Sequence, residues 1–259
     1  VLISLQSSSH TDVGPHRSTN QDSAFTSSWG AAVADGVGGG PAGDLASGAI
    51  IHRFAASLHA PLDAEELLTR LRVANWDLRA HVERDRSLAG MATTFTGIFP
   101  SRHGGLLLAH TGDSRAYRLR GGVLARQTRD DSVVQVLVDR GLMTPQEAAQ
   151  HPQRNVITAS LHGGEDDVIA IAEVAALPGD RWLLCSDGVS DYLADSELAA
   201  LVDGSSAEDA AASVVRHALD AGSRDNVTAV VCDIVSADHG SPGTQFSGAA
   251  LSDAFTVRP

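Results

Sequence analysis

Aromatic residues make up only 4% of the chain, cysteines number two, and Lys plus Arg total 19 against 32 Asp plus Glu. Each scarcity excludes something. A formal net charge of -13 argues against a nucleic-acid backbone as partner, because phosphate contacts need clustered cationic side chains. The few aromatics weigh against a carbohydrate-stacking cleft, and so against a carboxylate-pair glycosidase. Cys185 and Cys232 each sit inside an apolar run, which suggests neither a disulfide framework nor a thiolate metal site and fits a reducing, cytoplasmic setting. No uninterrupted apolar stretch approaches the ~18 residues of a membrane span, and the N-terminus has no basic segment followed by an apolar signal core.

What is present is a chain of 259 residues that is 43% apolar, enough to bury the core of one large domain. Short apolar runs at 30–34, 94–99, 106–110, 116–119, 168–174, 182–185 and 227–235 read as strands. Helical patterns fall at 44–59, 64–85, 132–140, 196–202 and 207–221, and Thr144 before Pro145 and Glu147 carries an N-cap signature. Helices and strands cluster rather than alternate, which predicts an α+β fold of antiparallel sheets covered by helices. The stretch 139–167 reads as an excursion between strands. From residue 236 the composition turns to Gly, Ser, Ala and Asp, so 1–235 is expected to be the folded domain and 236–259 a flexible tail.

Acids recur where strands stop. Asp35 follows an apolar run and precedes Gly36; Asp113 and Asp187 stand in Gly-Asp-Ser and Ser-Asp-Gly turns after apolar runs; Asp225 stands just before the run that begins at Val227. Antiparallel pairing of that last strand would bring all four carboxylates to one end. Gathered there they repel one another unless a cation lies between them. Oxygen-only ligands select hard ions such as Mg²⁺ or Mn²⁺ over Zn²⁺. For any one Asp-Gly taken alone, an ordinary turn role is the commoner account.

The surroundings of these acids are more specific. In chain order they include Arg17-Ser18-Thr19-Asn20-Gln21-Asp22, Asp35-Gly36-Val37-Gly38-Gly39, Gly90-Met91-Ala92-Thr93-Thr94, Gly112-Asp113-Ser114-Arg115-Ala116-Tyr117, Ser186-Asp187-Gly188 and Arg224-Asp225-Asn226-Val227-Thr228, with His151-Pro152-Gln153-Arg154-Asn155-Val156-Ile157-Thr158 between them. Over residues 11–235 this series resembles the type-2C metal-dependent serine/threonine protein phosphatases, in their bacterial form. The resemblance implies a four-layer αββα sandwich with two central antiparallel sheets and a two-metal site in a cleft at one end.

Residue by residue, the resemblance implies that Asp35 bridges two Mn²⁺ or Mg²⁺ ions. Asp187 and Asp225 would complete the first, and the carbonyl of Gly36 with water the second. Asp22 would act from behind the ligands, and Asp113, Asp187 and Asp191 would form a third, weaker site. Arg17 would bind phosphate, a task that suits a planar guanidinium. The implied reaction is hydrolysis of phosphoserine and phosphothreonine in proteins by a hydroxide bridging two metals, opposing a Ser/Thr kinase, with the enzyme a monomer. The other reading of the same residues is a catalytically weak phosphoprotein-binding regulatory domain, against which stands the retention of Asp35, Asp187 and Asp225. Two departures bear on mechanism. Val37 occupies a position where many relatives carry a proton-donating His, so a cation-bound water is the expected donor; Asp131 also stands where relatives often carry His, leaving its side chain without a role.

Overall fold

Strands in the middle of a sheet that is covered on both faces need apolar side chains on both, and several runs in this chain are apolar without alternation. In the computed structural model, which describes residues 3–37, 42–236, 243–252 and 255, those runs are central strands. One sheet places β1 (Ile3–Asp12), β10 (Val227–Ser236), β9 (Arg181–Cys185), β6 (Arg115–Arg120) and β7 (Val123–Arg126) side by side in that order. The other has the order β11 (Gln245–Gly248), β2 (Asp22–Ser27), β3 (Gly30–Asp35), β4 (Phe95–Pro100), β5 (Leu106–Thr111) and β8 (Ala170–Val174). Every pairing within the two sheets is antiparallel.

The sheets face each other across a core that includes Leu5, Val33, Ile98, Leu108, Trp182, Leu184 and Val230. Helices α1 (Gly43–Ala55) and α2 (Ala64–Arg84) cover the six-stranded sheet. In α2 the buried Leu67, Leu71, Ala74 and Leu78 recur at spacings of three and four, one stripe of a helix. Asp63 starts that helix by accepting from the Glu66 N–H, and Asp85, in extended backbone, ends it. Each buried leucine contributes roughly 1.5–3 kcal/mol. On the opposite side, α5 (Asp187–Ser190), α6 (Asp195–Val202) and α7 (Ala207–Asp220) cover the five-stranded sheet. The result is the expected four-layer sandwich. Between β7 and β8 the excursion spans 127–169, wider than the 139–167 expected, because it starts where β7 ends; it carries α3 (Val133–Asp139) and α4 (Pro145–Ala149), the latter opened by a reciprocal capping box between Thr144 and Glu147.

The expected tail needs correction. β10 runs through Ser236, and residues 245–248 pair with β2 at the sheet edge. Apolar side chains at uneven spacing explain it: Phe246 and Phe255 stack on the two faces of His52 in α1 at ring separations of 4.1 and 4.9 Å, and Ala250 is buried. His52 Nε2 also lies 2.6 Å from the Ala250 carbonyl oxygen. Gly38 and Gly39 of the glycine run, and residues 237–242, 253, 254 and 256–259 of the tail, lie outside the described residues.

Strand direction sorts the connections into two ends. β3, β5 and β9 finish, and β2, β6 and β10 start, at the end that carries the acids. The β6–β7 hairpin turns at Gly121-Gly122, at the other end.

Candidate metal centre and active site

The β2–β3 hairpin begins the site. Its register sets Asp22 directly opposite Asp35. The Asp35 backbone is fixed on both sides: its N–H donates to Thr94 Oγ1 (2.9 Å), and its carbonyl accepts from the Thr94 N–H (2.8 Å) and the Thr93 hydroxyl (2.9 Å). The next residue must be glycine, because a Cβ on Gly36 would lie 2.3 Å from the Gly43 carbonyl oxygen at the start of α1. Asp113 follows Gly112 in the β5–β6 turn, and Gly112 has φ +100°, a conformation other residues avoid. Asp187 opens α5 after β9, and Asp191 caps the same short helix with its carboxylate 3.3 Å from Arg154 Nε.

Asp225 arrives from the fourth direction and is held by its neighbour. Asn226 Oδ1 accepts from the Gln21 N–H at 2.8 Å, while Asn226 Nδ2 donates to the carbonyls of Val13 (2.8 Å) and Thr19 (3.0 Å). One buried amide thus laces the Asp225 turn to the loop that carries Arg17. Sequence reasoning quoted Asn226 as part of a motif but gave it no role; an Asn directly after a candidate ligand and before a strand was the available signal. Ser186 is accounted for as well. Its hydroxyl donates to Asp22 Oδ2 (2.8 Å) and accepts from the Thr228 N–H (3.1 Å), so it serves a carboxylate rather than acting as a nucleophile.

The cleft above these turns has a volume of about 350 Å³ and gathers Arg17, Asp35, Gly36, Asp113, Asp187 and Asp225, together with Val37, Asn155 and Ile157. Asp22 lies beneath it, fully buried. Asp191 lines an adjoining pocket of about 400 Å³ that shares Asp113 and Asp187 with the cleft. Arg17 Nη2 is 2.7 Å from Asp225 Oδ2.

Burial and mutual repulsion make Asp22, Asp35, Asp113, Asp187 and Asp191 hard to ionise. Burial, then the charges of Asp22, Asp187, Asp113 and Asp225, hold the Asp35 carboxyl well above the usual range. Asp187 is raised in the same way, by burial and then by Asp113 and Asp191. Asp113 is pushed up to about 7 by burial, Asp130 and Asp191. Burial lifts Asp22 to about 6 against the pull of hydrogen bonds from Thr228 and Ser186. Asp191 is raised by burial with Arg154 and Arg115 opposing. Oδ1 of Asp22 and Oδ1 of Asp187 are sealed from solvent without a hydrogen-bond partner, the condition a buried oxygen escapes by binding a cation. Among the described residues no three such side chains close into a finished cage. An open set of carboxylates that leaves coordination positions to water is what Mg²⁺ and ions like it take.

Comparison with known proteins bears on the family and the fold. The family model described as protein phosphatase 2C matches residues 9–230. The chain belongs to the protein phosphatase 2C family. Its relatives include the serine/threonine protein phosphatase PstP of Mycobacterium tuberculosis, 40% identical over 98% of this chain and 49% of that protein. Another is the protein phosphatase PhpP of Streptococcus pneumoniae, 33% identical over 84% of this chain and 93% of that one. The chain therefore spans about half the length of the mycobacterial relative. The crystal structure of the M. tuberculosis phosphatase superimposes with a TM-score of 0.83 at 38% identity, covering 90% of this chain and 99% of the other. A structure of the PstP catalytic domain in complex with two manganese ions gives 0.81 at 37%, covering 90% and 100%.

Proposed function

We propose that this chain is a metal-dependent phosphatase that hydrolyses phosphoserine and phosphothreonine in proteins and opposes a Ser/Thr kinase. One observation carries the reading: buried carboxylates with raised pKa share a cleft with an arginine, and Oδ1 of Asp187 in the cleft, like Oδ1 of Asp22 beneath it, has no hydrogen-bond partner. The names of the relatives and the two manganese ions held by PstP support it. Asp35, Asp187, Asp225 and the carbonyl of Gly36 are the groups that would hold two Mn²⁺ or Mg²⁺ ions, with Asp113 and Asp191 joining Asp187 at a third position. When bound, such ions acidify water near neutral pH and offset the charge of the phosphoryl group.

The chain's own residues supply the rest. Asp22 adds negative charge behind Asp35 and is itself fixed by the Ser186 hydroxyl. Arg17 presents a planar fork to two phosphoryl oxygens and spreads the charge of a loose transition state. Val37 has no proton to give, so the leaving alkoxide takes its proton from water. No helix among the described residues is long and apolar enough to cross a membrane, and both cysteines are free and buried, which supports placing this domain in the cytoplasm.

Turnover of a phosphothreonine peptide, measured after chelation and again after Mn²⁺ addition, tests the proposal. Activity is expected to vanish and return. Full turnover in excess chelator would overturn it.

A further inference from the structure

Asp131 stands outside the cleft, at the junction of the β5–β6 turn with the excursion. Its polar groups reach two other parts of the chain. The Asp131 N–H donates to the Gly112 carbonyl (2.7 Å), its carboxylate Oδ2 accepts from the Gly112 N–H (3.1 Å), and its carbonyl accepts from the Thr158 N–H (2.7 Å). Gly112 immediately precedes Asp113. Thr158 belongs to the returning limb of the excursion that holds α3 and α4.

The neighbouring bonds continue the same seam. Ser132 bridges to Ile157, and the Val133 N–H donates to the Val156 carbonyl at 2.9 Å. Further along the returning limb, Leu161 exchanges both backbone hydrogen bonds with Thr93, at 2.9 and 2.8 Å, next to the Thr94 that pins Asp35. The two limbs of the excursion are therefore sewn to each other and to the turns that present Asp113 and Asp35.

Gly112 is where this seam becomes specific. One residue, Asp131, takes both its N–H and its carbonyl. The first belongs to the peptide plane before Gly112 and the second to the plane between Gly112 and Asp113, so both planes that flank Gly112 are held, and the second is the plane by which the chain enters Asp113. Gly112 cannot be restrained from the other side by a side chain of its own, because a Cβ would lie 2.6 Å from the Thr94 side chain. Arg129 Nη1 is 3.9 Å from Asp131 Oδ1, too far for a hydrogen bond. The Gly112 N–H is the partner that orients the carboxylate.

We propose that Asp131 is a positioning residue: its carboxylate holds the Gly112 N–H, as its backbone holds the Gly112 carbonyl, to the seam of the excursion, so that order in residues 132–157 and cation affinity at Asp113 are one coupled equilibrium. Coupling of this kind is reciprocal, since whatever tightens one side tightens the other. The inference rests on Asp113 being a cation ligand, as proposed above.

Two measurements on the full chain test it. Hydrogen exchange in excess chelator reads the positioning without any metal, and calorimetric titration with Mn²⁺ reads the weakest cation site. Asp131→Ala keeps both backbone bonds and removes the carboxylate that accepts from the Gly112 N–H. It is expected to speed exchange at 111–114 and 132–157 and to weaken the last Mn²⁺ site about 10-fold, the low end for a residue that acts behind a ligand. Asp131→Asn retains an acceptor for the Gly112 N–H and is expected to stay within about twofold of the parent, because the neutral oxygen keeps the bond. Unchanged exchange and titration in Asp131→Ala would overturn the inference, as would Asp131→Asn behaving like Asp131→Ala. If exchange rises in Asp131→Ala while neither it nor Asp113→Asn alters the titration, the ligand reading fails and the coupling with it. If Asp113→Asn weakens the titration and Asp131→Ala does not, only the coupling fails. Should Asp131→Ala not fold, Asp131→Ser, whose hydroxyl is one bond shorter, is judged by the same readouts.

Discussion

At the scale of single residues, the carboxylates of the cleft differ in what their loss should do. Asp35→Asn and Asp187→Asn each remove charge from the centre, and each is expected to lower kcat by at least on the order of 10²-fold at saturating Mn²⁺. A near-normal kcat in either variant would remove that residue from the ligand set. Arg17 stands at the rim, bonded to Asp225. Arg17→Ala should raise KM for phosphopeptides and lower kcat less than the aspartate changes, because its contacts form in the ground state as well. Val37 gives a third test. Val37→His is expected to speed hydrolysis of phosphoserine peptides more than that of p-nitrophenyl phosphate, whose leaving group needs little protonation. Equal rate ratios would mean that another group already delivers the proton.

At the scale of elements, the C-terminal strand is the piece that composition hid. β11 contributes four residues, Gln245-Phe246-Ser247-Gly248, too few for any periodicity. Phe246→Ala should cost about 1–2 kcal/mol, less than a fully buried phenylalanine, read as a lower urea midpoint at unchanged slope. An unchanged midpoint would mean that the His52 stack contributes nothing to stability. β1 was missed for a related reason: after Ile3 and Leu5 it is Gln, Ser, His, Thr and Asp, and only its first residues are buried. β7 is only four residues long, and β2 carries a single large apolar side chain, Phe25. β3, β4 and β5, buried on both faces, were legible because burial on both sides leaves an unbroken apolar run. The site was more legible than the sheets, since a strand-ending acid beside glycine is a local signal. What bound the acids together was not local: Asn226 and Asp131 act through hydrogen bonds to residues distant in sequence.

At the scale of the whole molecule, the acid cluster sets how stability depends on pH. Asp22 at about 6 and Asp113 at about 7, against an ordinary 3.8, hold protons more tightly folded than unfolded. Their contribution is fully present below about pH 4 and is lost as pH rises through 6 to 7. Asp180 works in the opposite sense: burial raises it, but hydrogen bonds from Arg120 and the Leu177 N–H hold it below its usual value, so its contribution is lost in strong acid. In chelator, the urea midpoint is therefore expected to fall between pH 4 and pH 7, and saturating Mn²⁺ should flatten or reverse the slope. A midpoint in chelator that rose across this window would contradict the buried, cation-seeking cluster. The polarity of the sandwich has a practical side too. Gly121 and Gly122, both at positive φ (56° and 76°), turn the β6–β7 hairpin in open space. β6 is six residues long, so this tip stands roughly 20 Å from the acids. A fluorescent reporter or surface tether spliced into that tip would ride on the protein without entering the cleft, and immobilisation through it would leave the working end facing solution.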